Sequence, residues 1–317
     1  MSMVLVTGAD GFVGTRLCLL LERCGHEVRR VVRGRTRSEG PLTIATGDFA
    51  IFTRWSEIVQ GVDAVVHLAA RAHVPANRSG SGGNGLYRAV NAHATAQLAE
   101  AAAKQYVRRI VFVSSIGVNG NETVGRAFTE ADPPSPVEPY AVSKWEAEQV
   151  LVRIHSTTTT ESVIVRPSLV YGPGVKGNLL RLLKLVALGM PLPLGGLRHP
   201  RNFIGVDNLC DLLLSCIAHP RAAGELFLAA EPEFRTAAEL LEAIAAAMGH
   251  RNQIWRCPPR LLRLIATVMR KRVELAKLES ALQIDPSKAI TLLNWRPRTA
   301  FSDGVGAMVA DFLTARN

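Results

Sequence analysis

A tyrosine and a lysine four residues apart, Tyr140 and Lys144, are the pair whose types and spacing could do chemistry in this chain. Residues four apart lie on the same face of a helix, one above the other. A lysine ammonium beside a phenol favours the phenolate, so such a tyrosine can exchange protons near neutral pH. This is the acid–base half of the interconversion of an alcohol and a carbonyl group. The other half needs a group that carries hydride.

A glycine-rich segment near the start of the chain could hold that group. Gly8, Gly11 and Gly14 follow the apolar run Met3–Thr7 and open a helical pattern. In dinucleotide-binding loops, the first glycine permits a tight turn, the second lets the backbone approach a pyrophosphate, and the third lets the helix pack closely on the strand. The free N–H groups of the helix N-terminus then face the anion. The segment therefore predicts a dinucleotide site.

The residues after the second predicted strand indicate which dinucleotide binds. An acidic residue usually ends this strand in NAD sites and binds the ribose 2′-hydroxyl. Here Arg33, Arg35 and Arg37 follow the strand, and the first acid is Glu39. A 2′-phosphate would find partners among these arginines, whereas a bare hydroxyl would find no acceptor. The sequence therefore favours NADP(H), with NAD(H) possible, and Asp48, between the strands predicted at Glu27–Val32 and Ala64–Ala69, could reach the adenine.

Strands and helices alternate in the first half of the chain. Buried strands rich in Val and Ile are predicted at Met3–Thr7, Glu27–Val32, Ala64–Ala69, Ile110–Ser114 and Val163–Arg166, with helices at Phe12–Cys24, Leu86–Gln105 and Tyr140–His155. This order predicts an α/β fold of the Rossmann type, a doubly wound parallel sheet covered on both faces. The alternation fades after residue 171, where helices are predicted at Asn178–Leu188 and Ala237–Met248.

This change of pattern predicts two domains. Residues 1–171 would form the NADP(H)-binding Rossmann domain, with about 201–220 returning to it, and 172–317 would form mainly a smaller, interleaved α/β substrate domain. Residues 78–85 are rich in Gly and Ser and are expected to form a flexible loop. Residues 258–282 carry Leu, Ile, Arg and Lys at helical spacing. We expect a helix there that packs on the substrate domain, with a helix on a membrane surface as the less favoured alternative.

Several motifs follow one another in a fixed order. After the glycine loop come His67-Leu-Ala-Ala70, Val113-Ser-Ser115, Tyr140-x-x-x-Lys144 and Arg166-Pro-x-x-Val-Tyr-Gly-Pro173, and Asp285-Pro-Ser-Lys-Ala289 and Leu293-Asn-Trp-Arg-Pro297 lie near the end. With these motifs the chain resembles, over nearly its whole length, the extended short-chain dehydrogenases/reductases of the nucleotide-sugar epimerase/dehydratase type. Within that family, the segments Val113–Gly120, Pro139–Glu148 and Gly172–Asn178 look most like those of bacterial O-antigen reductases of UDP-4-keto-6-deoxy sugars.

The resemblance implies roles for matching positions. Ser115 would hydrogen-bond the substrate oxygen at the sugar C4, Tyr140 would exchange the proton, and Lys144 would lower the pKa of Tyr140 and bind the nicotinamide ribose. Asn178 and Arg201 would contact the diphosphate of a UDP-sugar. With the positions argued above, the candidate cofactor-binding residues are Gly8, Gly11, Phe12, Val13, Gly14, Arg33, Arg35, Asp48, Leu68, Ala69, Ala70, Tyr140, Lys144 and Pro167.

The residues after Ser115 narrow the reaction. Dehydratases of this family follow that position with Asp-Glu, whereas Ile116 and Gly117 stand here and cannot do acid–base work. These residues argue against a dehydratase. The arginines after the second strand and the resemblance to O-antigen reductases together imply NADPH-dependent reduction of the C4 ketone of a UDP-2-acetamido-2,6-dideoxy-4-keto-hexose, giving UDP-N-acetylquinovosamine or UDP-N-acetylfucosamine for O-antigen or polysaccharide synthesis. The alternative is an NAD-dependent UDP-hexose or UDP-N-acetylhexosamine 4-epimerase. A non-catalytic NADP-binding regulator is a further alternative, although such proteins commonly lose the tyrosine or the lysine.

The composition of the chain limits the kinds of partner and ligand that can be expected. The formal net charge is +10, but the basic residues are spread along the chain without interleaved aromatic residues, so a nucleic-acid partner is not expected. The sequence contains no run of 18 uncharged apolar residues, so membrane insertion is not expected. The N-terminus does not resemble a signal peptide. The five cysteines lack the spacing of a metal site. We expect a cytoplasmic protein without a bound metal. The resemblance implies a homodimer formed through the helices predicted at Leu86–Gln105 and Tyr140–His155.

Overall fold

A computed structural model describes residues 2–34, 42–72, 81–250, 254–268, 275–276 and 278–315. Its strands are β1 Met3–Thr7, β2 Glu27–Val32, β3 Thr43–Ala45, β4 Ala64–His67, β5 Arg109–Val113, β6 Glu161–Pro167, β7 Leu169–Tyr171, β8 Pro200–Arg201, β9 Phe203–Gly205, β10 Leu226–Ala229 and β11 Arg235–Thr236. Its α-helices are α1 Phe12–Arg23, α2 Trp55–Ile58, α3 Ser81–Arg88, α4 Ala94–Lys104, α5 Pro139–Thr157, α6 Gly177–Val186, α7 Val206–Ala218, α8 Ala237–Ala247, α9 Pro259–Val268, α10 Ser287–Leu293 and α11 Phe301–Thr314.

The main sheet has seven parallel strands in the order β10-β6-β5-β4-β1-β2-β3. Successive residues of a strand point to opposite faces. Val4 and Val6 accordingly pack with α1 and α7 on one face, whereas Leu5 packs with α4 and α5 on the other. Both faces of the sheet are thus covered by helices, which confirms the predicted doubly wound Rossmann-type α/β fold.

The second half of the chain contributes to both parts of the molecule. The helix α7 packs on α1 beneath the sheet, β10 extends the sheet beyond β6, and Ala289 and Leu293 of α10 belong to the same core. A separate apolar core joins α6, α8 and α11, with Leu183, Ile244 and Phe312 among its members. This packing supports an interleaved chain; the domain boundaries themselves remain a prediction.

The helices α3 and α4 form one continuous helical segment, and it corrects the expected flexible loop. They are joined by a π-helical turn at Ala89–His93. Residues 78–80 lie outside the described part of the chain, but Ser81–Gly85 form the first turn of α3. Their glycines disfavour a helix by intrinsic propensity. The helix forms because it continues into a segment held against α5, where Arg88 binds Glu146 at 2.5 Å.

The helix predicted over residues 258–282 lies only partly within the described residues. Pro259–Val268 form the helix α9 there, whereas Leu282 forms a parallel β-bridge with Arg201. A strand partner is available there, because the Leu282 N–H donates to the Pro200 carbonyl at 3.0 Å. Leu262 and Ala266 of α9 are buried against Leu197 and other residues, so this helix packs as expected. Within the described residues, no helix combines the length and apolar character needed to cross a bilayer.

Candidate functional site

The glycine loop brings the start of α1 against β1 and the loop after β4. Gly8 has φ +67°, and a Cβ there would lie 3.0 Å from the Ala69 nitrogen. A Cβ on Gly14 would lie 2.1 Å from the Gly8 carbonyl oxygen, a distance that no side chain can occupy. Gly11 caps the N-terminus of α1 without a side-chain hydrogen bond. Backbone N–H groups at this helix end are therefore directed toward the adjoining cleft.

A cleft of about 670 Å³ lies beside this loop. Seven of the predicted cofactor-binding residues line it, namely Gly8, Gly11, Arg33, Asp48, Leu68, Ala69 and Ala70. Asp10, Phe49, Arg71, Ala72, Val90 and Lys176 complete the lining and were not predicted. The volume and the glycine cradle suit an extended dinucleotide, and the lining includes Arg33, Arg71 and Lys176 as possible partners for its phosphates.

Other predicted cofactor residues stand outside this lining. Phe12 and Val13 pack against the core beneath the sheet, and Phe12 also contacts the core that joins α6, α8 and α11. Pro167 is buried at the end of β6. Arg35 lies outside the described residues, so the predicted arginine cluster is represented in the cleft by Arg33. Asp48 accepts a hydrogen bond from the Ala50 N–H at 3.0 Å and lies 3.9 Å from Arg71.

Ser115 stands directly after β5, where a short 3₁₀ turn begins. Its hydroxyl accepts a hydrogen bond from the Gly117 N–H at 3.2 Å. A Cβ built on Gly117 would lie 3.4 Å from both Ser115 Oγ and the Ala141 Cβ. The small residue at 117 therefore lets Ser115 approach the first turn of α5, where Tyr140 is located.

Tyr140 and Lys144 lie one turn apart in α5. Tyr140 is half-buried, and burial, with a smaller contribution from Tyr87, raises the pKa of its phenol to about 12. This direction is opposite to the expected lowering by Lys144, because loss of hydration dominates. Lys144 is buried, with its Nζ 4.2 Å from the centre of the Phe112 ring. Burial lowers the pKa of Lys144 to about 7, and nearby Glu148 partly opposes that shift.

Beneath Lys144 lies a buried ion pair that sequence reasoning missed. Glu148 and Arg166 are 2% and 3% exposed, and their side chains are 2.5 Å apart. Ser114 also hydrogen-bonds Glu148, and Arg166 donates to Asn119 Oδ1 at 2.8 Å. A signal was present in the sequence, because Glu148 lies four residues after Lys144 on the same helix face. Its partner on β6 could be identified only from the fold.

Asn91 connects the cleft to α5. This fully buried amide lies in the π-helical turn between α3 and α4. Its Oδ1 accepts from the Arg71 N–H at 2.8 Å, and its Nδ2 donates to the Arg71 carbonyl at 3.1 Å and to Ser143 Oγ at 3.0 Å. Ser143 donates in turn to the Tyr140 carbonyl at 2.7 Å. A lone amide on the apolar face of a predicted helix was the available signal.

The two predicted substrate-binding residues lie on the second part of the molecule. Asn178 is exposed in the first turn of α6, next to Arg181, and follows the cleft residue Lys176. Arg201 is half-buried in β8, where its Nε donates to the Ser280 carbonyl at 3.1 Å. Burial lowers the pKa of Arg201. Neither side chain belongs to the cleft lining described above, so their substrate contacts remain predictions.

Sequence and structure comparisons identify the family and the fold. A model of the NAD dependent epimerase/dehydratase family matches residues 4–230. The chain is 35% identical to a UDP-glucose 4-epimerase of Vibrio cholerae over 319 residues, covering 99% of this chain and 96% of that protein. It is 29% identical, over 71% of this chain and 66% of the relative, to the N-acetyl-alpha-D-glucosaminyl-diphospho-ditrans,octacis-undecaprenol 4-epimerase of Escherichia coli O157:H7. The UDP-glucuronic acid 4-epimerase of Bacillus cereus, solved with NAD, superposes with a TM-score of 0.79 at 22% identity, covering 99% of this chain and all of that one.

Proposed function

Because the chain belongs to the NAD dependent epimerase/dehydratase family, we propose that it is a nucleotide-sugar 4-epimerase that acts on a UDP-hexose or UDP-N-acetylhexosamine. The observation that carries this choice is the match, over 99% of the chain, to a UDP-glucose 4-epimerase. It favours the epimerase over the 4-keto reductase that the sequence motifs favoured. Both reactions need the same groups at C4, so the arrangement of Ser115, Tyr140 and Lys144 is compatible with either.

The cleft fits NAD, the cofactor of this proposal. Gly8, Gly11 and the N-terminus of α1 would hold its pyrophosphate, and the loop after β4 would lie along it. Bound NAD supplies an acceptor and donor of hydride for the sugar C4. Asp48 and Arg33 would contact the adenosine end, because both line the cleft beside the end of β2.

The side chains around α5 would handle the proton. Ser115 would hold the C4 oxygen by a hydrogen bond. Tyr140, as its phenolate, would take the hydroxyl proton and return it after the 4-keto sugar has rotated to present its other face. A phenol with a pKa near 12 is a weak acid in the ligand-free chain. A positive charge placed near it would lower that value, and the buried Lys144 is one turn away. Lys144 would therefore act in its protonated form, which burial opposes and Glu148 favours.

The 4-keto reductase with NADPH is the second candidate. One observation favours it: no acid ends β2, and Arg33 lines the cleft directly after that strand. A guanidinium there suits a 2′-phosphate better than a hydroxyl. If this candidate is right, Arg33→Asp should weaken NADPH binding while leaving NADH binding nearly unchanged.

One set of assays separates the candidates. The purified protein is analysed for NAD that survives dialysis and is offered UDP-glucose, UDP-N-acetylglucosamine and a polyprenyl-diphosphate-linked N-acetylglucosamine, with products identified by NMR. Interconversion of C4 epimers with retained NAD supports the proposal. Consumption of NADPH with a UDP-4-keto-6-deoxy sugar, without epimer exchange, would favour the reductase. Tight cofactor binding with no turnover of either kind would indicate a regulator.

A further inference from the structure

The helix α9 exposes a second apolar face. Leu262 and Ala266 are buried against the second part of the molecule, whereas Leu261, Leu264 and Val268 are 44%, 60% and 77% exposed. Positions separated by three and four residues lie on one side of a helix. The outer side of α9 is therefore an apolar stripe that the rest of the described chain leaves in solvent.

The end of α6 presents similar side chains. Leu185, Leu188 and Met190 are 44%, 62% and 58% exposed. The chain that follows α6 runs beside the chain that precedes α9, because Leu192 and Ile254 form a parallel β-bridge. The Trp255 N–H donates to the Leu192 carbonyl at 3.0 Å, and the Trp255 side chain is 43% exposed. These contacts place the segment that follows α6 beside the segment that leads into α9.

Basic side chains surround these apolar residues. Arg181 and Lys184 line a shallow groove with Leu185 and Leu188 on α6. Arg256 and Arg260 are exposed at the start of α9, and Arg263 is exposed beside Glu279. We define the α6–α9 surface by its apolar members Leu185, Leu188, Met190, Trp255, Leu261, Leu264 and Val268 and its basic members Arg181, Lys184, Arg256 and Arg260.

We propose that the α6–α9 surface docks the protein on an anionic phospholipid bilayer. Several large apolar side chains exposed on neighbouring segments suggest an interaction site. An apolar helix face flanked by Lys and Arg, with a Trp at its edge, suits the boundary between acyl chains and anionic headgroups. The formal net charge of +10 adds long-range attraction between the protein and an anionic membrane surface. A protein partner would need acidic side chains placed opposite these basic residues. An anionic bilayer offers negative charge over its whole surface, next to the apolar layer that the leucines would enter.

The helix α6 connects the α6–α9 surface to the cleft. Lys176 lines the cleft and caps the N-terminus of α6, and the exposed leucines begin at the other end of the same helix. A helix of ten residues is about 15 Å long. The docked protein would thus hold its cleft close to the bilayer. This inference goes beyond the proposed function and does not depend on it.

The test is co-sedimentation of the full chain with vesicles. Vesicles of phosphatidylcholine alone are compared with vesicles of phosphatidylcholine and phosphatidylglycerol in equal amounts, at low and high salt. We expect binding to the anionic vesicles that weakens with salt. The triple variant Leu261→Ser, Leu264→Ser, Val268→Ser should lose at least about tenfold in partitioning. The variant Arg256→Gln, Arg260→Gln should lose binding most strongly at low salt.

A matched control is Val124→Ser with Val137→Ser, which removes two side chains 86% and 69% exposed elsewhere. It should bind vesicles like the unmodified protein. Circular dichroism and turnover of soluble UDP-sugars, which need no vesicles, show that each variant is folded. Absence of binding to anionic vesicles would overturn the proposal, as would unchanged binding by the triple variant. Self-association that the triple variant abolishes, without vesicle binding, would assign the surface to a second copy of the chain instead.

Discussion

At the scale of single residues, the environment of α5 sets the proton chemistry. Burial moves the pKa of Tyr140 up and that of Lys144 down, so it shifts each group toward its neutral form. Two groups shifted in this way are poised to exchange a proton once charge or ligand changes their surroundings. The buried His67 is held by Thr7 and Thr95 at 2.6 and 2.9 Å. Burial, with a smaller contribution from Lys144, lowers its pKa to about 3.

Replacing the phenol tests its proposed role. Tyr140→Phe should lower kcat by about 10²- to 10⁴-fold, the usual contribution of a general acid–base group, while NAD binding measured by calorimetry changes little. Tyr106→Phe is the matched control, since Tyr106 is 83% exposed, and it should leave kcat unchanged. Retained turnover in Tyr140→Phe would remove this residue from the proposed mechanism.

The buried lysine should also make stability depend on pH. The unfolded chain holds this proton up to the ordinary lysine pKa of 10.5, whereas the folded chain releases it near 7. Between those values the unfolded state binds more protons than the folded state. The free energy of unfolding therefore increases as pH rises through this window. Urea unfolding across this window should show the wild type gaining stability relative to Lys144→Met. Parallel curves for the two proteins would contradict the lowered pKa.

At the scale of elements, two local devices fix α1 and α5 against the sheet. Gly14 lets the first turn of α1 touch the Gly8 carbonyl, and the Glu148–Arg166 pair joins α5 to β6. Each device depends on close approach of two elements. A substitution at either place should therefore lower the stability of the protein more than the same substitution at an exposed position.

A methyl group in the glycine loop should separate α1 from β1. Gly14→Ala should cost about 1–3 kcal/mol of unfolding free energy through overpacking and weaken NAD binding. Gly306→Ala is the matched change in α11, where a Cβ would meet nothing within 4 Å. It should stabilise the chain by up to about 1 kcal/mol, because alanine has the higher helix propensity. Thermal unfolding of both variants with and without NAD gives the comparison.

Neutralising Glu148 should leave the buried guanidinium of Arg166 without its counter-charge. Glu148→Gln is expected to cost about 3–5 kcal/mol and to lower the pKa of Lys144 further, since Glu148 supports its charged form. Glu146→Gln breaks the more exposed pair with Arg88 and should cost about 0–1 kcal/mol. Equal losses in chemical denaturation would show that burial does not decide the effect.

At the scale of the whole molecule, a buried polar cluster ties the two parts together. Glu231 accepts hydrogen bonds from the Tyr171 hydroxyl at 3.0 Å, the Gly205 N–H at 2.9 Å and Asn208 Nδ2 at 2.7 Å. Asn208 Oδ1 accepts from the backbone N–H groups of residues 298 and 299, ahead of α11. The cluster thus connects β7, β9, α7 and the C-terminal segment. The homodimer expected from the resemblance stays a prediction.

Removing the Asn208 amide should loosen this connection. Asn208→Leu leaves several buried donors and acceptors without partners, and we expect a loss of at least about 3 kcal/mol. Asn121→Leu, at an exposed position, should be nearly neutral. Denaturation followed by fluorescence and by circular dichroism measures both the loss and any separation of the two parts into distinct transitions. A loss no larger than in the control would show that the cluster is dispensable.

The sequence by itself determined the fold class, most strand and helix positions, and the residues Ser115, Tyr140 and Lys144 as the candidate centre. The fold class, the element positions and the Tyr140–Lys144 pair follow from local order, since apolar periodicity, glycine spacing and an i, i+4 pair can be read along the chain. Ser115 follows from the family motif that the chain resembles. Only the tertiary structure decided that Glu148 meets Arg166, that Asn91 joins the cleft to α5, and that burial moves the pKa of Tyr140 upward. Burial and contacts between distant residues depend on how the elements pack, which no local pattern specifies.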